Sequence, residues 1–331
     1  KLTKMPQKLL ILFLLCLFNH VIYAGDRYAG DFLSLGVGAR PLGMGGSFSA
    51  ISDDSTAAYW NPAGLGGLHR SEITFMRSTI NDLDSYSFIN YIHPVGKDNA
   101  LGVSWMRVGI DDIPVTAVKK PAPVGPGNRP EIKDNFSLTD NAFILSYGRK
   151  YSNLFVGVNA KLIYISGYRK HNALGVGGDL GFLWTSSSRG SSRFSTALVV
   201  QDFFRTKLYW NTPPEKADQA AYTDTILQNF RLGFAYRQKI ESFRSHLILS
   251  VDVDSLYDFE FHYGTEYVFS DLLSIRFGVQ ERKGVKTIHN ITAGVGLRLG
   301  FITGAAFSID YAFLGNNDLG NSNQLSLIFR F

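Results

Sequence analysis

Residues 230–237 of the chain read Phe-Arg-Leu-Gly-Phe-Ala-Tyr-Arg, so bulky apolar side chains occupy every second position. Successive side chains of a β-strand point to opposite faces of a sheet, and this stretch therefore has one apolar face and one polar or small face. The same period-two pattern recurs at 247–253, 275–280, 291–299 and 324–331. Alternating segments of about ten residues, separated by turns, are typical of membrane-spanning β-barrels.

A soluble β-sandwich also alternates apolar and polar side chains, but its strands usually have only about five or six residues. After residue 24 the sequence has no apolar stretch near the roughly eighteen residues that a membrane helix needs. Only a closed sheet leaves no unpaired strand edge in lipid. We therefore predict an all-β fold, a transmembrane antiparallel β-barrel of about 14 strands, over residues 71–331.

The alternation and the turn residues place the individual strands along the chain. The candidate strands are roughly 71–79, 84–94, 98–108, 139–149, 152–166, 172–185, 193–202, 226–237, 244–254, 258–269, 272–280, 288–299, 301–313 and 322–331. The two longest connections, Gly109 to Leu138 and Phe203 to Thr225, then fall on one side of the membrane, which is the outer side because outer loops are long. The first connection contains five prolines. Proline lacks a backbone donor, so we expect an extended surface loop there.

The first 24 residues have a different composition. Three lysines precede the apolar run Leu9–Phe18, and the small residue Ala24 ends a cleavage-site pattern. This pattern predicts a cleaved secretory signal peptide over residues 1–24 and, with the barrel, the outer membrane of a Gram-negative bacterium. The run is too short for the alternative of a membrane anchor. The leader contains the only cysteine, Cys16, and three of the 33 lysines and arginines, which leaves 30 basic and 28 acidic residues, a net charge of +2. That balance gives no indication of nucleic-acid binding.

Residues 25–70 show no alternation and are rich in glycine. Glycine lets backbone segments approach each other closely, so we expect this segment to fold into the barrel as a plug. The candidate residues of the plug are Gly36, Gly38, Arg40, Gly43, Gly45, Gly46, Asp53, Asp54, Asn61, Pro62 and Gly64. A phosphate-binding loop is a poor alternative for residues 43–46, since no Lys-Ser/Thr pair follows the glycines. Asn61-Pro62 is interpreted as a turn that closes the segment before the first strand.

Three stretches of this segment resemble those of a known family: residues 36–46, the pair Asp53-Asp54, and Trp60-Asn61-Pro62-Ala63-Gly64-Leu65. At these residues the chain resembles the PorV/PorQ family, within the wider superfamily of FadL-type outer-membrane proteins. The resemblance implies a fourteen-stranded barrel with an N-terminal plug or hatch. It also implies an accessory role in type IX protein secretion, with secretion components or exported cargo as partners. The alternative that it implies is a FadL-type channel for the uptake of hydrophobic compounds.

The polar faces of the predicted strands carry charges of both signs, which favours ion pairs that hold a plug over an open charge-selective channel. The candidates for this lumen network are Arg231, Asp252, Glu260, His262, Glu266, Arg276 and Arg298. His262 could bind a metal or act in acid–base chemistry with Glu260 and Glu266. No second histidine lies at ligand spacing nearby, so a hydrogen-bond network is the preferred interpretation. The sequence marks out no nucleophile–base pair. We therefore predict no enzyme, cofactor or metal, and expect membrane lipid as the constant partner.

Overall fold

The computed structural model of the protein describes residues 29–80, 84–119, 123–168, 171–187, 190–211, 222–256, 259–283, 287–300, 304–315 and 320–331. The leader predicted at residues 1–24 lies outside these ranges. Within them, none of the helices has the length and apolar character required to cross a membrane. The structure is built almost entirely from strands.

In the part of the chain that the structure describes, sixteen strands belong to one sheet. They are β1 (Glu72–Ile80), β2 (Asp84–Pro94), β3 (Asn99–Ala117), β4 (Glu131–Tyr151), β5 (Leu154–Ser166), β6 (Asn172–Thr185), β7 (Ser192–Gln201), β8 (Lys207–Trp210), β9 (Thr223–Thr225), β10 (Asn229–Ile240), β11 (Ser245–Asp254), β12 (Glu260–Phe269), β13 (Leu273–Arg282), β14 (Ile288–Gly300), β15 (Ala306–Gly315) and β16 (Ser322–Arg330).

Fourteen of these strands, all except β8 and β9, form a closed ring. Strands β1 to β7 pair in order, β7 pairs with β10, and β10 to β16 again pair in order. β16 then pairs with β1, with Phe329 opposite Ile73. All pairs are antiparallel. Because β16 pairs with β1, the ring closes and has no edge strand. The predicted 14-stranded antiparallel barrel is confirmed.

The outer surface of the barrel is apolar because alternate side chains face outward. Phe234 and Tyr236 of β10 are exposed, whereas Arg231 and Ala235 on the other face of the same strand are buried. Along β16, Leu325 is likewise exposed and the serine after it is buried. A continuous belt of exposed aromatic and aliphatic side chains with polar groups inside is the pattern that lipid requires.

The connections at the two ends of the barrel differ in length. At the end where β1 begins and β16 ends, residues 152–153 connect β4 to β5, and residues 270–272 connect β12 to β13. The long connections after β3 and β7 lie at the opposite end. Short turns face the periplasm in outer-membrane barrels, so the end with the long connections is the outer end.

The prediction of a plain loop from Gly109 to Leu138 is wrong. Residues 110–117 of β3 and 131–138 of β4 pair with each other beyond the barrel wall, and we call this hairpin the outer ribbon. Pro114 lies opposite Asn135, close to a register shift at residues 110–113. β2 pairs with β3 only as far as Gly109. Pro114 therefore lies on an open edge, where a missing backbone donor is tolerated.

The connection from Phe203 to Thr225 also contains strand structure. β7 pairs with β6 only at residues 180–185 of β6, and the short strand β8 takes over at residues 173–176. β9 then pairs with β8. The sequence analysis gave this stretch only as a long connection and did not predict these two short strands; residues 212–221 lie outside the described ranges.

Most of the N-terminal segment, residues 29–70, packs against inward-facing side chains of the ring. It contains two short helices, Ala39–Gly43 and Ala57–Trp60, and two 3-10 turns, Asp31–Ser34 and Pro62–Gly67. Almost every residue from 36 to 66 is buried. The segment hydrogen-bonds inward-facing groups of β1, β5, β11 and β16, which lie on different sides of the ring.

Candidate functional site

The contact surface between the N-terminal segment and the inner wall of the barrel is the candidate functional site. Asn61 is central to it, since its amide nitrogen donates to the carbonyl oxygens of Ser49 (3.0 Å) and Phe182 (3.2 Å). Its side-chain oxygen accepts from the backbone of Ala63 and so caps the turn that begins at Pro62. The predicted turn at Asn61-Pro62 therefore also attaches the segment to β6.

Glycines of the wall make room for this turn. A Cβ atom at Gly157 of β5 would overlap the backbone of Pro62, and one at Gly181 of β6 would overlap the Asn61 side chain. On the segment side, a Cβ at Gly64 would overlap the carbonyl oxygen of Ser52. Close backbone contact here requires glycine on both surfaces.

The glycine-rich stretch 36–46 uses the conformational freedom of glycine directly. Four of its glycines have positive φ: Gly36 (78°), Gly38 (83°), Gly45 (65°) and Gly46 (76°). Gly43 instead packs on the backbone of Gly294 in β14. The amide of Gly45 donates to Thr292 Oγ1 at 2.9 Å. The stretch therefore follows a winding path against β13 and β14 that other residues would not allow.

Arg40 holds the first of two ion-pair clusters. Its Nη1 lies 2.6 Å from Asp53 Oδ1 and 2.8 Å from Asp54 Oδ2, both within the N-terminal segment. Its Nε and Nη2 donate to the two carboxylate oxygens of Glu266 on β12, at 2.9 and 2.7 Å. This bidentate geometry is the strong form of a guanidinium–carboxylate pair. Arg237 of β10 also contacts Asp53.

The electrostatics of Asp53 follow from this arrangement. Burial alone would raise the pKa of the Asp53 carboxyl, but Arg40 and Arg237 outweigh that and hold the pKa well below its ordinary value. Glu266 continues the cluster into the wall, because Arg276 donates to it at 2.7 Å and pairs with Asp310 at 2.6 Å. We call this set the Arg40 cluster: Arg40, Asp53, Asp54, Arg237, Glu266, Arg276 and Asp310.

A second set lies toward the outer end, and we call it the Arg231 cluster: Arg231, Asp254, Glu260, His262 and Arg282. Arg231 Nη2 and His262 Nε2 lie 2.7 and 3.1 Å from the same oxygen, Asp254 Oδ2. His262 Nδ1 lies 2.7 Å from the carbonyl oxygen of Gly45, which ties the cluster to the N-terminal segment.

Ligand atoms of Asp254, Glu260 and His262 lie within 4.8 Å of one another, a spacing that could hold a metal ion. Arg231 already pairs with Asp254, and Arg282 already pairs with Glu260. A cation placed there would face two guanidinium groups, so the arrangement disfavours metal binding.

Two further predicted residues lie apart from these clusters. Asp252 is fully buried and accepts from the backbone amides of Phe48 (3.2 Å) and Ser49 (3.0 Å), so it positions the segment directly. Arg298 is exposed and joins none of the ion pairs found within the described ranges. The structure therefore does not bring Arg298 into the network for which the sequence suggested it. Arg298 lies two residues before β14 ends at Gly300, at the end of the barrel where β1 begins.

The sequence interpretation missed one buried cluster. Lys161 of β5 lies 2.7 Å from both Asp179 of β6 and Asp202, just after β7. All three side chains are buried at the point where β6 changes partner from β7 to β8. An inward-facing lysine on β5 was the available signal.

Two aromatic side chains, Tyr59 and Trp60, stabilise the part of the N-terminal segment that lies toward the outer end of the barrel. Tyr59 donates to the carbonyl oxygen of Leu33 at 2.6 Å and accepts from the amide of Gly36. Burial raises the pKa of Tyr59 to about 12, so the hydroxyl stays a donor. The Trp60 indole donates to Val37 at 2.8 Å, and its ring lies 5.1 Å from the guanidinium carbon of Arg231.

A cavity of about 220 Å³ lies between this outer half of the segment and the barrel wall. Its lining includes Leu33, Trp60, Ile226, Arg231 and Asp254. Ile226 and Arg282 place the cavity at the outer end of the barrel.

Comparison with known proteins gives a clear result for the fold. No protein-family model and no curated protein matches the sequence. Solved structures do match: the toluene transporter TbuX of Ralstonia pickettii has 11% sequence identity and a TM-score of 0.51, with 89% of this chain and 97% of that chain covered. The CymD monoaromatic hydrocarbon channel has 11% identity and a TM-score of 0.52, with the same shares covered.

The toluene transporter TodX of Pseudomonas putida is similar to the same degree, at 11% identity and a TM-score of 0.51, with 89% of this chain and 97% of that chain covered. The barrel therefore has the same fold as these transporters and channels. At such low identity the likeness concerns the fold alone. The fold part of the sequence resemblance thus agrees with these structures, whereas none of them bears on PorV/PorQ or on type IX secretion.

Proposed function

We propose that the protein is an outer-membrane channel that admits small hydrophobic molecules. The observation that carries the proposal is the cavity of about 220 Å³ at the outer end of a closed barrel, above a segment that fills the lumen. The apolar belt supports a membrane location, and the fold is one that monoaromatic hydrocarbon channels also use. A channel for hydrophobic compounds was the alternative function implied by the sequence resemblance. The solved structures support it better than they support a role in type IX secretion.

The N-terminal segment acts in this proposal as the plug that the glycine-rich sequence suggested. Residues 36–66 are buried against strands on all sides, so a permeant cannot cross without a route along the segment. The Arg40 cluster and Asn61 fix the segment to β12 and β6. A narrow, selective path is expected in place of the wide aqueous pore of a general porin.

Uptake of labelled toluene into cells tests the proposal. We compare a deletion strain that carries the wild-type gene with one that carries Ser34→Trp, because Ser34 lines the cavity and the indole would fill much of it. We expect Ser34→Trp to reduce uptake to the level of the deletion strain. Ser137→Trp makes the same change on the outer ribbon, away from the cavity, and should leave uptake unchanged. Equal uptake with and without the gene would remove the channel function.

Docking of exported proteins, as type IX accessory proteins would do, is a second candidate. The observation that favours it is the outer ribbon, which projects beyond the wall, and in which Ile132 is 67% exposed; Val124, in the connection at its tip, is 68% exposed. Exposed apolar side chains on a projecting hairpin are suited to contact a partner. Shortening the hairpin to a turn at Gly109–Leu138 separates the candidates. Docking predicts that secretion of type IX cargo falls while toluene uptake persists, and unchanged secretion would exclude docking by the ribbon.

A further inference from the structure

The cavity wall has an apolar side, formed by the N-terminal segment and neighbouring strands. Leu33, Leu42, Ile144 and Ile226 line it together with the ring of Trp60. The volume of about 220 Å³ lies below the roughly 300–1,000 Å³ of sites for drug-sized ligands. A single substituted ring or a short branched chain is therefore the size of molecule that fits.

Part of the lining of the same cavity is polar, and some of the hydrogen-bonding capacity there is unused. Arg231 is 8% exposed, and its Nε and Nη1 have no hydrogen-bond partner within the described ranges. The same holds for Oδ1 of the buried Asp254 and for Oδ1 of Asn290. All three residues line the cavity. Buried polar atoms are normally paired, so donors and acceptors left over at one wall indicate a ligand that supplies both.

The charge of the lining limits the nature of that ligand. Five carboxylates (Asp31, Asp179, Asp202, Asp254 and Glu260) face three basic groups (Lys161, Arg231 and Arg282), a formal balance of −2 when His262 is not counted. A carboxylate ligand would add a sixth negative charge. A cationic head beside Asp254 would instead meet the Arg231 guanidinium, 2.7 Å from Asp254 Oδ2. A neutral head avoids both costs.

From this juxtaposition we infer that the cavity selects small amphipathic molecules with a neutral head that both donates and accepts hydrogen bonds, such as an alcohol, a phenol or a primary amide. The inference rests on the proposed channel function and narrows its substrate class. A pure hydrocarbon leaves the polar wall unpaired, which is the physical reason for its weaker binding.

Four probes of similar size and different heads test the inference: benzyl alcohol, toluene, benzoate and benzylamine. Binding to the purified full chain in detergent micelles is measured by titration calorimetry, with protein-free micelles as the blank. We expect benzyl alcohol to bind about tenfold more tightly than each of the other three, because it forms hydrogen bonds with charged partners at no charge cost.

Two variants and one control locate the effect. The double substitution Arg231→Met with Asp254→Leu removes both charges together, so neither is left alone, and it should abolish the preference for benzyl alcohol over toluene. Asn290→Leu removes one acceptor and should weaken benzyl alcohol about threefold, with toluene unchanged. Asn135→Leu makes the same change on the outer ribbon and should have no effect. Unheated gels report whether each variant is folded, and Asn290→Leu carries the test if the double variant is not.

The outcomes separate this inference from the channel function. Toluene binding as tightly as benzyl alcohol, or tighter binding of either ion, overturns the head-group preference and leaves the channel function standing. No binding of any probe above the micelle blank overturns the cavity as a ligand site. The uptake experiment then decides the channel function by itself.

Discussion

The two ion-pair clusters inside the barrel differ in how completely their partners are matched. In the Arg40 cluster, Arg40 uses Nε, Nη1 and Nη2 on three carboxylates, and the pairs bridge the N-terminal segment and β12. In the Arg231 cluster, the arginine uses only Nη2, and two of its nitrogens and one Asp254 oxygen have no partner within the described ranges. The Arg231 cluster lines the cavity of about 220 Å³, whereas Asp53 and Arg237 of the Arg40 cluster line a smaller one of about 70 Å³.

The difference indicates that the two clusters, which lie at different heights in the barrel, have different roles. A buried arginine that pairs through all three of its nitrogens, as Arg40 does, fixes a structure, because its loss removes a countercharge from carboxylates in a low-dielectric interior. Buried groups with unused hydrogen-bonding capacity are costly to keep, and they persist where a ligand or solvent can reach them. We interpret the Arg40 cluster as the attachment of the N-terminal segment to the barrel wall. We interpret the Arg231 cluster as the set of groups that a ligand in the cavity would contact.

Replacing Arg40 should produce the largest effect. Arg40→Ala removes the guanidinium partner of the buried Asp54 and one of the two arginine partners of Glu266, and loss of one partner of a buried pair costs about 3–5 kcal/mol. We expect the N-terminal segment to detach, which would be measured as new sites of limited proteolysis within residues 29–70 and as increased conductance in planar bilayers. The wild-type protein should conduct little.

Arg298→Ala is the matched control, because Arg298 is exposed and belongs to neither cluster. Surface substitutions of this kind usually change the free energy of unfolding by less than about 0.5 kcal/mol. If Arg40→Ala and Arg298→Ala gave the same proteolysis pattern and conductance, the Arg40 cluster would not be the attachment.

Overpacking the contact between wall and turn should have an intermediate effect. Gly157→Ala places a methyl group into the backbone of Pro62, and forced overpacking costs about 1–3 kcal/mol. The free energy of unfolding, from urea titration in detergent, should fall by that amount. Gly300→Ala is the control, since nothing lies within 4 Å of a Cβ there. An unchanged unfolding midpoint for Gly157→Ala would mean that the turn does not press on β5.

The barrel was predictable from sequence because period-two alternation is a local signal. β2 and β6 have the predicted bounds, 84–94 and 172–185. The outer ribbon was missed because the rule against proline applies to central strands, and Pro114 lies on an edge. Pairing between distant residues was not predictable, because Arg40 and Glu266 are 226 positions apart and share no local pattern. The lysine–aspartate cluster at Lys161 was missed for the same reason, since its three members come from β5, from β6 and from just after β7.

Acid should produce the smallest and most gradual effect on the attachment. Asp53 belongs to the Arg40 cluster, and Arg40 with Arg237 holds its pKa well below the ordinary carboxyl value, against the opposing effect of burial. A carboxyl whose pKa is lowered on folding stabilises the protein above its unfolded pKa, about 4, and loses that contribution as pH falls further. Protection of residues 29–70 from proteolysis should therefore stay constant from about pH 8 to pH 5 and decline only below about pH 4. Asp53→Asn lacks the titrating group, so its protection should be lower at neutral pH and depend less on acid. A decline that began near pH 6, close to the ordinary pKa of histidine, would instead assign the attachment to His262 and its contact with Gly45.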